Sequence, residues 1–371
     1  MASIQIADSL RQVDPAEWNA LAGGQPFTRY EFLSALIESG CASRRTGWLP
    51  QFILLRRSGA LSGAMPLFLK SHSYGEYVFD WAWAEAHERH GLEYYPKLVC
   101  AVPFTPVRGT RLLAKADEDR RALLDAARSS ARNLSSLHVL FPSTEEAELL
   151  RKEGMLIRHT VQFHWRNEGY ENFESFLARM SHRRRKNIRQ ERRKVHEAGI
   201  SFAWREGRDI SARDWETFYR CYRNTYAAHG SSPYLSLEFF LLIGATLPEY
   251  VVLLLASRNG TPVASALFFR DASNLYGRYW GALAHVPFLH FECCYYQAIE
   301  FAIARGLAVF EGGAQGEHKL FRGLLPVETL SAHWLSHPRF SRAVEDFLSR
   351  EASGMERYVD ELCEHSPFKE E

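Results

Sequence analysis

The sequence predicts a mixed α/β (α+β) fold made by tandem duplication of one domain. Three observations predict it. The chain has 371 residues, 46% of them apolar, enough to bury two ordinary cores. Three landmarks recur in order about two hundred residues apart. Strand, helix, strand patterns appear in both halves.

The first landmark is an acidic residue shortly before Trp at the start of an amphipathic stretch, Asp14 to Trp18 against Ser211 to Trp215. The second is Tyr30-Glu31-Phe32-Leu33 against Leu237-Glu238-Phe239-Phe240. The third is a hairpin and a further strand. Phe52 to Leu55, a turn at Ser58-Gly59, Ala64 to Leu69, then Tyr77 to Trp83 match Val252 to Leu255, a turn at Asn259-Gly260, Ala264 to Phe269, then Leu275 to Trp280. Asn-Gly between apolar runs is a strong hairpin signal, because both turn positions need positive φ.

The remaining elements follow the same scheme. Thr28 to Glu31 has the spacing of a capping box. A helix is expected from about Glu118 to Arg132 and a strand at Ser136–Phe141. In the second half a helix is expected from Phe291 to Ala304, ended by Arg305-Gly306, then a strand at Leu307–Phe310. The join is expected near Gly169 to Asn172, after a strand at Thr160–Trp165, giving domains 1–168 and 169–371.

Charge and cysteine content narrow the function classes. Forty-five Lys plus Arg against 44 Asp plus Glu leave a net charge of +1, which excludes global attraction to nucleic acid or an anionic membrane. No run of about 18 apolar residues occurs, and Met1 to Asp8 lacks a basic stretch followed by an apolar core. Neither a membrane span nor a signal peptide is expected, and the expected location is cytoplasmic. Six cysteines without a C-x-x-C pair read as reduced thiols.

The balanced total hides a basic helix, expected over 182–197. Arg183, Arg184, Arg185, Lys186, Arg189, Arg192, Arg193 and Lys194 put eight cations in twelve positions, with Glu191 the only acid. Ile188 and Val195, seven apart, can rest one edge on the protein while the cations cover the rest. Arg183, Arg184, Arg185, Lys186 and Arg189 are the expected phosphate contacts, because mutually repelling cations call for an anion. The alternative is a solvated connecting helix.

A second constellation follows the strand ending at Phe310. Glu311-Gly-Gly-Ala-Gln315-Gly-Glu317-His318-Lys319 has three glycines that let the backbone turn sharply and approach a ligand. On a following helix, His318, Lys319 and Arg322 are expected opposite Leu320, Phe321 and Leu324. Glu292, Glu311 and His318 are the expected catalytic residues, because an attacking amine needs a base. Gln315, Lys319 and Arg322 are expected to bind substrate. His290, Glu292, Glu311 and His318 lack the spacing of a metal motif, so no metal is expected. No Gly-x-Ser-x-Gly elbow or cysteine nucleophile signature occurs. In the first half, polar aromatic segments flank strands and are expected substrate walls. They supply His72, Tyr74, Glu76, Tyr95 and Lys97.

Several longer motifs carry a resemblance. Phe27 to Leu33, His72 to Trp81, Tyr94 to Leu98, Val102 to Pro106, Leu289 to Tyr296 and Gly312 to Lys319 resemble a bacterial FemAB-like family, over residues 4 to 351. That family is grouped with the GNAT acyltransferases and resembles Fem peptidyltransferases. The resemblance therefore implies two GNAT-like domains. It also implies N-acyl transfer from aminoacyl-tRNA or acyl-CoA to an amine on a cell-wall precursor or small molecule, with no tightly bound cofactor. The GNAT pyrophosphate-loop pattern is not evident in either half, which weighs against acetyl-CoA. The resemblance supplies no catalytic residue, and the roles above rest on residue chemistry. The expected function is aminoacyl transfer. Its alternatives are acetyl-CoA-dependent acetylation of a small amine and an inert GNAT-like module that binds RNA or a cell-wall precursor.

Overall fold

Both halves of the chain run through the same series of elements in a computed structural model that describes residues 2–314 and 316–369. The first series is β1 (Ala2–Ala7), α1 (Pro15–Ala22), α2 (Tyr30–Glu38), β2 (Trp48–Pro50), β3 (Phe52–Arg57), β4 (Ala60–Met65), β5 (Leu67–Lys70), α3 (Trp81–Arg89), β6 (Lys97–Cys100), β7 (Leu113–Ala114), α4 (Asp117–Ala131), β8 (Ser136–Leu140), α5 (Thr144–Lys152) and β9 (Leu156–Arg166). Two helices follow, α6 (Phe173–Arg179) and α7 (His182–Glu197). The second series is β10 (Ile200–Glu206), α8 (Ala212–Ala228), α9 (Leu237–Thr246), β11 (Val251–Arg258), β12 (Thr261–Arg270), β13 (Asn274–Ala282), α10 (Leu289–Phe291), α11 (Gln297–Ala304), β14 (Val309–Ala314) and β15 (Leu325–Leu335), closed by α12 (Pro338–Glu364). A π-helical turn, Glu292–Tyr296, joins α10 to α11.

Pairing repeats along with order. β1 pairs antiparallel with β3 as β10 does with β11, and β6 runs parallel to β8 as β13 does to β14. Both hairpin turns form as the sequence requires, with φ of 50° and 90° at Ser58 and Gly59, and 50° and 75° at Asn259 and Gly260. One difference is dictated locally. β12 is unbroken, whereas Pro66, which has no amide hydrogen for the ladder, separates β4 from β5.

The last strand of each series is exchanged. β8 of the first series pairs with Ser331–Leu335 of β15, and β14 of the second with residues of β9 from Gln162 to Arg166. The two compact units are therefore discontinuous. One contains the residues up to Thr160 with Thr329–Glu356, and the other Val161–Glu328 with the residues from Arg357 on. The expected boundary, 1–168 against 169–371, follows the duplication along the chain, while these units follow the exchanged strands.

Each unit has its own core. In the first, Leu67, Leu98, Leu137 and Val139 pack on Leu123 and Leu124 of α4. In the second, Val252, Leu254, Phe268 and Phe310 pack with Ile299 and Ala302 of α11. Burial of each large aliphatic side chain contributes about 1.5–3 kcal/mol. All six cysteines are free thiols. Among the described residues no helix is long and apolar enough to cross a membrane.

Two local expectations are corrected. Tyr77–Trp83 is not the third strand of the first half. The chain turns into α3 at Trp81, where Ala and Glu favour helix, and Lys97–Cys100 takes the strand position. Thr28 to Glu31 forms no capping box. The Thr28 hydroxyl donates to Ala22 O, Glu31 accepts from the Asn19 amide, and Asn19 Oδ1 accepts from Tyr30 N at the start of α2.

Candidate functional site

In the second unit β13 and β14 begin as a parallel pair and then part. Asn274, Leu275 and Tyr276 face Val309, Phe310 and Glu311, and the ladder ends there. On its other side β13 passes a bulge, since Leu267 faces Tyr279 while Phe268 faces Gly277, so Arg278 is the extra residue. The parting leaves a cleft of about 290 Å³, lined by Gly277 to Trp280 on one wall and by His290, Cys294, Tyr295, Gly312 and Lys319 opposite. Gly312 is closely packed: a Cβ there would stand 2.3 Å from Leu324 Cδ2, which would have to move, and 3.0 Å from Phe163 O.

Lys319 is the cleft's buried cation. Its ammonium donates to Gly313 O at 3.1 Å, and burial lowers its pKa to about 8. Burial, with His318, Lys319 and Arg322 nearby, lowers His290 to about 4, so that imidazole is neutral at neutral pH. Burial pushes the Cys294 thiol well above its usual value, which leaves no thiolate nucleophile.

The segment after the glycines is a 3₁₀ helix, Glu317–Arg322, not an α-helix. Residues three apart share one face of a 3₁₀ helix, so Lys319 and Arg322 both turn inward and are buried with Leu320. The expected separation is corrected: Lys319 and Arg322 are buried together with Leu320 and not set on an arc opposite it. Arg322 makes a bidentate pair with Glu191 at 3.0 Å, donates to His318 O at 2.7 Å and stacks at 3.4 Å over Phe291. Tyr296 also donates to Glu191. His318 Nε2 lies 3.1 Å from the Tyr295 hydroxyl, and burial lowers its pKa.

The expected acids occupy different places. Glu292 is buried and ion-paired with Arg192 at 3.0 Å, with the Gln297 amide at 2.9 Å on the same carboxylate. Glu311 stands at the last rung of the parallel ladder, with its Oε2 3.9 Å from His164 Nε2. Gln315 lies outside the described residues. Among the described residues, no three or more His, Cys, Asp or Glu are grouped to hold a metal.

The basic helix α7 divides its cations between two faces. Arg192 pairs with Glu292 and Glu300, and Arg184 stacks at 3.8 Å over Phe321. On the other face His182, Arg185, Lys186, Arg189 and Arg193 surround an open concavity of about 460 Å³. Arg189 also pairs with Glu174, and Arg183 is solvent-exposed.

In the first unit the place equivalent to the cleft is filled by the chain itself. After the β6–β8 ladder ends at Cys100 and Val139, the buried residues 101–107 continue between the strand ends. Gly109 donates to Phe141 O at 3.0 Å and Arg111 Nε to Leu140 O at 2.8 Å. Glu146 fixes the loop by accepting from the amides of Arg111 and Leu112, both at 2.8 Å.

Of the residues expected as substrate walls there, Glu76, Tyr95 and Lys97 come together. Lys97 Nζ donates to Glu76 Oε2 and to Ser73 Oγ, both at 2.8 Å, and Ser73 Oγ is 2.8 Å from the Tyr95 hydroxyl. Tyr74 is exposed and rests against His72, ring centroids 5.3 Å apart. Sequence reasoning missed Asp80, Lys70, His138 and His333, buried polar residues around the same group. The signal was available: Lys70 ends an apolar strand and His138 interrupts another.

A search of curated proteins finds no match. Solved structures resemble the fold over nearly its whole length. FemX aligns over 90% of this chain and 99% of its own, with 12% identity and a TM-score of 0.55. L-PGS from Bacillus licheniformis aligns over 91% and 97%, with 10% identity and a TM-score of 0.54. The C-terminal domain of a putative lysylphosphatidylglycerol synthetase from Agrobacterium fabrum aligns over 90% and 95%, with 10% identity and a TM-score of 0.52. At such identities the likeness is one of fold, the duplicated mixed α/β arrangement described above. A family model matches residues 9–370, and the chain belongs to that family, FemAB-like, described as peptidoglycan biosynthesis/recognition.

Proposed function

We propose that the protein is an N-acyltransferase that moves an aminoacyl group from aminoacyl-tRNA to an amine, on a cell-wall precursor or a related small molecule. The observation that carries this reading is the cleft where β13 and β14 part, with the buried ammonium of Lys319 on its wall. An acyl carbonyl held there meets donors at the point where negative charge develops as the amine attacks. The C–N bond forms, the ester C–O bond breaks, and the amine's proton passes to a base while the ribose hydroxyl leaves.

His318, its pKa lowered by burial and its Nε2 3.1 Å from the hydroxyl of Tyr295 on the cleft wall, is proposed as the base, with Glu311 beside the ladder's end as its alternative. Glu292 takes a positioning role, since its charge is committed to Arg192 and Gln297. Arg183, Arg185 and Lys186, together with the cationic concavity of α7, supply phosphate contacts for the tRNA.

The test is transfer from charged tRNA, compared with transfer from acetyl-CoA. Replacing Arg183, Arg185 and Lys186 by Ala should weaken tRNA binding and flatten its salt dependence. Absence of tRNA binding at low salt overturns the aminoacyl-tRNA donor, and transfer from acetyl-CoA alone replaces it. Binding without transfer from either donor leaves a binding module.

A further inference from the structure

Residues 71–96 connect β5 to β6 in the first unit, where the second unit needs only residues 271–273 between β12 and β13. Its solvent side carries Tyr74, Phe79, Trp81 and Leu92 at 59, 56, 41 and 41% exposure. Its underside mixes polar and apolar side chains: Ser73, Glu76 and Asp80 are buried beside Val78, and Trp83 and Tyr94 pack with Leu335, Val344 and Leu348. The buried carboxylates make this cover depend on hydrogen bonds as well as on apolar packing.

One hydrogen-bonded chain ties that underside to the sheet. Ser331 Oγ lies 2.8 Å from His333 Nε2, and His333 Nδ1 lies 2.7 Å from His138 Nδ1. His138 Nε2 lies 2.7 Å from Ser136 Oγ and 3.2 Å from the Tyr94 hydroxyl. Tyr94 donates to Asp80 Oδ2 at 2.5 Å, and Lys97 bonds Asp80, Glu76 and Ser73.

The Nδ1···Nδ1 contact between His138 and His333 needs one hydrogen and one lone pair, so while both rings are neutral one donates and the other accepts. Ser136 and Ser331, whose hydroxyls can donate or accept, satisfy Nε2 of each ring in either arrangement. A second proton in that contact would set two N–H donors against each other across 2.7 Å. A proton on His333 would place a buried cation near Arg158 and Lys97.

We propose that residues 71–96 are a pH-gated lid, latched over the first unit's sheet by the chain from Ser331 to Glu76 while both imidazoles are neutral, and opened when His138 and His333 take up protons.

Every charged group facing the latch enters the balance. Arg158 of β9 donates to Phe79 O at 2.6 Å and pairs with Glu351 of α12 at 2.7 Å. From β5, Lys70 donates to Tyr74 O at 3.1 Å and lies 4.0 Å from Glu76. On α3, His87 stacks at 3.9 Å on Phe340 of α12, with His90 and His337 close by.

Burial holds His138 at about 3 and His333 well below its usual value. Opening returns both to about 6.5, so below that pH the open state binds more protons and gains with acid. His87, also lowered by burial, adds to the same side. Glu76 opposes them: burial raises it to about 7 in the closed state, so between about pH 7 and 4.5 the closed state holds a proton that the open state has lost. Two histidines against one glutamate leave about one net proton, and the open fraction should rise about tenfold per pH unit between about 6 and 5.

The test is hydrogen–deuterium exchange of the full chain at pH 7, 6 and 5, corrected for intrinsic exchange, on peptides covering residues 77–93, with α4 as reference. Lid protection should fall about tenfold per unit while α4 stays protected. Glu76→Gln should steepen the slope by about a further tenfold per unit, and His138→Asn should remove about as much. Lid protection that does not change with pH, equal slopes for wild type and Glu76→Gln, or parallel loss in α4 overturns the proposal. If His138→Asn does not fold, the other two slopes still decide.

Discussion

Lys319 brings an amine into the cleft at a cost in solvation, and this fixes its behaviour with pH. Burial lowers its pKa to about 8, so the ammonium that would face a developing oxyanion is lost as pH rises through that value. Transfer should therefore fall above about pH 8, and Lys319→Met should lower kcat/KM about a hundredfold and remove that limb of the pH profile. A profile unchanged in the variant would place the limb elsewhere. Glycines, cations and a histidine after a strand marked this segment in the sequence. What the sequence left out was the turn type: a 3₁₀ helix buries Lys319 and Arg322 together with Leu320, whereas α-helical spacing had set them on the arc opposite it. His290, on the cleft wall, was weighed only as a metal ligand. The π turn after Phe291 sets where Cys294 and Tyr295 meet the same wall, which residue spacing does not reveal.

At the scale of elements, the cleft is held by the packing of α8 on β13. A Cβ at Gly281 would stand 1.9 Å from the backbone carbonyl oxygen of Cys221, so the helix sits on the strand at a distance only glycine permits. Gly281→Ala should lower stability by about 3 kcal/mol or more, read as a fall in the denaturant midpoint, and should disturb the cleft wall formed by Gly277 to Trp280. Helix α8 begins with a capping box between Ser211 and Asp214, and Ser211→Ala should cost about 1 kcal/mol by the same measurement. Elements with strong local signals were legible: both Gly-turn hairpins, the basic helix and the strand at Ser136. Tyr77–Trp83 was misread because its alternating aromatics have strand periodicity, yet in the structure Phe79 and Trp81 are exposed while Trp83 is buried with Val78 and Asp80 as the chain turns into α3.

For the whole molecule, duplication was legible and strand exchange was not. Repeated landmarks report the order of elements, but which strand completes which sheet depends on pairing between residues far apart in sequence. A fragment ending near residue 168 lacks Ser331–Leu335, the partner of β8, and lacks α12. Such a fragment should not show a cooperative unfolding transition by circular dichroism, whereas the full chain should. Duplication also produced unequal halves. The second unit keeps its strands parted around a cleft, and the first fills that place with residues 101–112, tied by Glu146. On the proposed function, the transfer site lies in the second unit.

The most direct measurement of that claim is single-turnover transfer of a labelled aminoacyl group from charged tRNA to an amine acceptor, with wild type, Lys319→Met and Glu146→Gln compared at the same folded concentration. Transfer by wild type and Glu146→Gln at similar rates, with Lys319→Met about a hundredfold slower, is the expected result. Equal rates for wild type and Lys319→Met, or loss in Glu146→Gln alone, would contradict an acyl-transfer site in the second unit.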